Sequence, residues 1–135
     1  MNVLNLEGIE LALALTFGPL TDDGRVIFAI ESAFRNDRSP GVYAVTSDEE
    51  IVYVGSYRKG VVRRWLYTDN PDVYHFKKPQ VVSCLQASKT IKIYAASEVS
   101  IKKQLGQADN RWVNTSGIEG VLIKTLNPAW NKQGK

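Results

Sequence analysis

The sequence predicts an α+β fold: a three-stranded antiparallel sheet flanked by helices, in the order β-β-α-β-α-α, with an N-terminal β-hairpin extension. Three observations predict it. Apolar runs Gly41–Val45 and Ile51–Gly55 flank the polar tip Thr46-Ser47-Asp48-Glu49-Glu50, the pattern of a β-hairpin with a five-residue loop. Val61, Val62, Trp65 and Leu66 recur at helical spacing just beyond it. Ile91–Ala96 alternates apolar and polar at its start, as a half-buried strand does.

Taken in order, Ile9–Phe17 and Arg25–Ser32 flank Pro19-Leu20-Thr21-Asp22-Asp23-Gly24. The Asp-Gly pair supplies the positive φ of a tight turn, so the two runs read as the arms of a hairpin. Leu and Ala predominate in Leu4–Leu15, which equally fits a helix. Phe34–Pro40 is a polar connector, whose Arg35 and Arg38 are solvated loop charges or phosphate contacts. In the central hairpin, side chains alternate between faces, so Tyr43 and Tyr53 are expected to meet on one face. Two phenols side by side are either a packed aromatic pair or a pair of proton-handling groups.

The helix after Gly60 puts Arg63 and Tyr67 four apart on one face, away from its apolar stripe, with Arg64 pointing elsewhere. Pro71 breaks that helix. His75-Phe76-Lys77-Lys78 then gathers three basic or titratable groups. Ser97 is an N-cap for a helix over Glu98–Leu105, which Gly106 ends. Thr115 or Ser116 caps the last helix, with Ile118, Val121, Leu122 and Leu126 buried, Glu119 near its start and Pro128 at its end.

Composition narrows the classes. With 135 residues, 44% hydrophobic and 23% charged, the chain reads as one ordinary globular domain. A net charge of +3 is compatible with a polyanionic partner without requiring one. One cysteine, Cys84, excludes an internal disulfide and a cysteine-rich zinc site, and one histidine excludes a His cluster. A reducing, cytoplasmic setting is the expectation. Ile9–Leu15 is too short to span a bilayer and contains Glu10, so no membrane segment or targeting peptide is read. No repeat, linker or appended DNA-binding domain is evident, and no Gly-rich loop followed by Lys-Ser/Thr cradles a phosphate.

Gly41-Val42-Tyr43 followed by Tyr53-Val54-Gly55 resembles the two-strand signature of the GIY-YIG endonuclease family. Arg63 stands where the family places an arginine on the next helix. Glu119 fits its single glutamate on a later helix, and Asn131, within Asn127-Pro128-Ala129-Trp130-Asn131, its closing asparagine. The resemblance spans Pro40 to Lys135, leaving residues 1–39 as the extension. Chain length and the Asn-Pro-x-Trp-Asn ending are similar to the small phage endonuclease II branch, and small restriction enzymes of the family share several features.

The resemblance implies a divalent-metal-dependent DNA endonuclease in a bacterial or phage-infected cell. Phosphodiester hydrolysis needs an activated water, compensation of phosphoryl charge and help for the departing 3′ oxygen. Glu119 would hold Mg²⁺ or Mn²⁺, since magnesium takes one or two carboxylates and keeps several waters. Arg63 would clamp the scissile phosphate through its planar fork. Tyr43 would be the general base, its phenol lowered by Arg63 and the metal, with Tyr53 orienting it. Tyr67 holds a place where some relatives carry histidine, and would bond the phosphate or the nucleophile. Asn131 would organise the site by bonding Glu119 or nearby backbone, and Trp130 would pack.

Lys59, Arg64, His75, Lys77 and Lys78 are the DNA-contacting candidates, with Lys89, Lys92 and Arg111 as further phosphate contacts, and His75 also a candidate for catalysis. One small module has one active site, so cutting double-stranded DNA implies a homodimer or higher homo-oligomer. A catalytically silent nucleic-acid-binding protein on the same fold is the alternative; its mark would be loss of Arg63 or Glu119, and both are present.

Overall fold

β2 (Ile9–Leu20) is the strand that ties the N-terminal region to the rest of the sheet. The computed structural model describes residues 2–66, 73, 75, 77–106 and 115–132. β1 (Val3–Leu6) and β3 (Val26–Ile30) both pair antiparallel with β2, which pairs on its other side with β6 (Ile91–Ser97). β6 continues to β4 (Gly41–Ser47), and β4 to β5 (Glu50–Tyr57), every pairing antiparallel.

Among the described residues the sheet is therefore six-stranded, not three-stranded with a hairpin appended. Leu11, Leu15 and Phe17 point into cores that also receive the inner faces of β4 and β6, so burial joins the two regions. Strand propensity of single residues does not reveal such a partner. Leu4–Leu15 is strand rather than helix, because pairing on both sides satisfies its backbone.

The central hairpin is tighter than its polar tip suggested. Only Asp48 and Glu49 lie between the strands, at φ 47° and 74°, and two successive left-handed residues give the twist a two-residue hairpin needs. A register shift between Val45 and Thr46 absorbs the extra residue.

Helices cover both faces. α2 (Val61–Trp65) and α3 (Lys78–Gln86) bury Val61, Trp65, Val81 and Leu85 in one layer with Tyr43, Tyr53, Ile91 and Ile93. α4 (Glu98–Gln104) and α5 (Thr115–Leu126) bury Ile101, Ile118 and Leu122 in the other, against Val42, Val54 and Tyr94. A short helix α1 (Ser32–Arg35) starts the connector. α3 has no counterpart in the predicted order; Pro79 at its start and a weak apolar pattern hide it, although proline suits a first helical turn.

Ser97 caps α4 by accepting from the Ser100 N–H at 3.1 Å, and Gly106, at φ 68°, follows that helix. α5 begins at Thr115, whose N–H donates to the Glu98 carboxylate at 2.9 Å, so a neighbouring helix supplies this cap. Val121, expected inside, is 62% exposed because the buried stripe runs through Ile118 and Leu122. After α5, Asn127 adopts a left-handed φ of 48°, and the chain turns into a 3₁₀ turn over Ala129–Lys132. That turn carries Trp130 into the layer opposite the one that holds α5. The chain thus wraps the free edge of β5.

Candidate active site

Register builds the centre of the site. Tyr43 lies opposite Gly55, and Val45 opposite Tyr53, so both phenols rise from one face with ring centroids 6.0 Å apart. The Tyr43 ring crosses Gly55: a Cβ there would run into its hydroxyl. Gly41 is likewise crossed by Tyr57, whose hydroxyl would meet any side chain at that position. Both glycines of the signature are floors under a cross-strand tyrosine.

Tyr43 is fully buried, with Trp65 of α2 edge-on at 5.5 Å and His75 edge-on at 6.0 Å. Its hydroxyl is 2.6 Å from His75 Nε2 and hydrogen-bonded to Tyr53. Burial pushes the Tyr43 hydroxyl well above the ordinary phenol range; a charge on Tyr53 would add to this, and Arg64 opposes it. Burial raises Tyr53 as well, against the opposing pull of Arg64 and of its bond to Tyr43, while the Glu119 carboxylate adds to the rise.

In the protein alone, desolvation outweighs the pull of the Arg64 charge on Tyr43. Tyr53 retains 8% exposure and is the phenol nearer to solvent.

The Arg64 charge reaches Tyr43, Tyr53 and His75. α2 ends at Trp65, one turn sooner than its pattern suggested, and Leu66 turns extended to bridge Val73. Arg63 is exposed and borders, with Arg64, Ser56, Arg58, Lys59 and Gly60, a cleft of about 590 Å³ that no acidic side chain lines among the described residues. Tyr67 and Arg111 lie outside the described residues.

Two DNA-contact candidates are misplaced for that task. His75 is 1% exposed, stacked on Trp65 at 3.9 Å and 11°, and pushed down to about 3 by burial together with the charges of Arg64 and Lys77. Lys77 is 2% exposed; its ammonium donates to the Trp130 carbonyl at 2.8 Å and lies 5.6 Å from the Tyr53 ring centre. Apolar burial of the stems drew both inward, which a count of basic residues cannot reveal. Lys78, half-buried, opens α3. Lys92 borders a groove near the hairpin tip with Asp48 and Glu49, while Lys89 lines another with Phe17 and Leu85.

Asn131 bonds backbone rather than Glu119. Its side chain accepts from the Val54 N–H and donates to the Val54 carbonyl, each at 2.9 Å. Val54 faces the unpaired edge of β5, so the carboxamide stands in for a further strand.

Glu119 sits half-buried on α5, close enough for its charge to raise both phenols. Among the described residues no cluster of three His, Cys, Asp or Glu side chains gathers. One carboxylate near neutral and cationic groups suits a hard cation that keeps most of its water, and does not suit a protein-caged zinc.

A mutant of bacteriophage T4 EndoII, a GIY-YIG endonuclease, matches this architecture with a TM-score of 0.58 over 90% of this chain and 91% of that one. The fold is that of EndoII. Sequence identity is 17%, so the likeness lies in the backbone. No family model matches the sequence, and comparison with curated proteins by sequence gives no match. No helix among the described residues is long and apolar enough to cross a membrane.

Proposed function

We propose that the protein is a divalent-metal-dependent endonuclease that hydrolyses phosphodiester bonds in double-stranded DNA. The observation carrying this reading is the pair of phenols, ring centroids 6.0 Å apart, beside a cleft bordered by Arg63 and Arg64, with Glu119 of α5 within electrostatic reach. A guanidinium, a carboxylate and a proton acceptor are what in-line attack of water on a phosphate requires. The EndoII-like fold supports the same reading.

In this reading Tyr53, rather than the inaccessible Tyr43, takes the proton of the attacking water. The water oxygen bonds to phosphorus, the P–O3′ bond breaks, and the 3′ oxygen leaves with the bonding pair and takes up a proton from solvent. Arg64 holds the phosphoryl oxygens and favours the ionised Tyr53, and Arg63 and Lys59 receive the strand along the adjoining cleft. Glu119 would hold Mg²⁺ or Mn²⁺, which when bound supplies charge to the phosphoryl oxygen and the leaving alkoxide. Two copies of the chain would cut the two strands, and one domain spanning residues 1–135 carries the site.

Supercoiled plasmid tests this directly. With magnesium, nicked or linear DNA is expected, and chelation should stop its appearance. Intact plasmid at equal protein and site concentrations, under conditions where the protein binds DNA, would favour the silent binding module instead.

A further inference from the structure

Among the described residues, three contacts bear on the protonation of the His75 ring. Trp65 fixes the ring plane by stacking, the Lys77 backbone N–H lies 3.1 Å from Nδ1, and Tyr43 Oη lies 2.6 Å from Nε2. A backbone N–H only donates, so Nδ1 carries a lone pair. The neutral imidazole then holds its proton on Nε2, and the short contact to Tyr43 is a donation from imidazole to phenol. Tyr43 Oη, having accepted, directs its own proton to its other partner, the Tyr53 hydroxyl.

We propose that His75 is a positioning residue: locked as the Nε2–H tautomer, it orients the Tyr43 proton toward Tyr53 and leaves the Tyr53 oxygen as the acceptor that meets the nucleophile. The relay runs from the Lys77 amide through His75 and Tyr43 to Tyr53, and each step has a single direction. A second, stable reason keeps the ring neutral: Arg64 from α2 and Lys77 ahead of α3 both oppose a charge on it. Glu119 from α5 and Arg64 act on the phenol end, with opposite signs. The catalytic consequence rests on the nuclease reading; the tautomer does not.

The test uses the 135-residue chain, whose single histidine makes its imidazole ¹⁵N signals unambiguous. The expected spectrum is an Nε2–H tautomer that persists unprotonated from pH 8 to pH 5. An Nδ1–H tautomer, or protonation near the ordinary histidine value, would overturn the proposal. In cleavage assays His75→Phe keeps a ring on Trp65 and removes the donor. Its kcat should fall about tenfold to a hundredfold with KM for DNA unchanged, and its pH profile should move to higher pH, because Tyr53 loses the support of an oriented donor. His75→Gln, with an amide N–H to offer, should recover part of the loss. Wild-type kcat and pH profile in His75→Phe would refute the role. If that variant does not fold, the wild-type spectrum decides alone. A wild type that cuts no DNA removes the nuclease reading and leaves the tautomer to the spectrum.

Discussion

Asn131 clasps Val54 by both backbone polar groups, accepting from its N–H and donating to its carbonyl at 2.9 Å each. The strand so held carries Tyr53 next door, and the segment doing the holding also brings Trp130, whose carbonyl receives Lys77. Lys77 is in turn the residue whose amide orients His75. A closed circuit of buried hydrogen bonds therefore surrounds the phenol pair.

Cutting that circuit at Asn131 has a defined cost. Asn131→Ala leaves a buried N–H and a buried carbonyl without partners, and should destabilise the protein by about 2–6 kcal/mol, since each such group costs roughly 1–3 kcal/mol. Urea unfolding checks this. Asn131→Asp keeps the acceptor but sets a second oxygen against the buried Val54 carbonyl, so a loss at least as large is expected.

Gly55→Ala probes the floor beneath Tyr43. The added methyl occupies the space of the Tyr43 hydroxyl, and the strand pair cannot open without losing its ladder. A loss of about 1–3 kcal/mol or more from overpacking is expected, together with loss of cleavage. Unfolding curves and plasmid assays on the same preparation test both.

The two arginines separate by their effect on pH dependence. Arg63→Ala and Arg64→Ala should both weaken cutting, as both line the basic cleft. Arg64→Ala should shift the pH–rate profile upward and Arg63→Ala should not, because among the described residues it is the Arg64 charge that lowers the phenols. Rate profiles from pH 6 to 10 for the three proteins distinguish them.

His75 contributes a pH-dependent stability of known sign. Its folded value lies near 3, below the ordinary 6.5, so the unfolded chain binds the proton more readily. Stability from this group is present above pH 6.5 and lost as pH falls toward 3, at up to about 1.4 kcal/mol per unit. Urea midpoints at pH 7 and pH 5 should fall less in His75→Phe than in wild type.

Much of this was legible in the chain. The signature hairpin, the β6 strand and the Ser97 cap follow from alternation, turn residues and capping chemistry, all of which are local. So did the meeting of Tyr43 and Tyr53 on one face, since alternation sets the face each side chain takes; the register did not, because the two-residue turn and the bulge set Tyr43 opposite Gly55. What escaped depends on distant partners. β2 recruits the N-terminal region into the sheet through β6, some eighty positions away in sequence. His75 and Lys77 looked like surface cations because their burial is decided by Trp65 and Trp130, which no spacing rule places beside them. In the proposed reading Arg64 takes the phosphate-holding place expected of Arg63, a difference that turns on where a five-residue helix ends.

The most direct test of the account is Glu119→Ala, assayed for DNA binding and for plasmid cleavage with magnesium. The account predicts binding close to wild type, with nicking and linearisation abolished. Cleavage at the wild-type rate by the folded variant would contradict it.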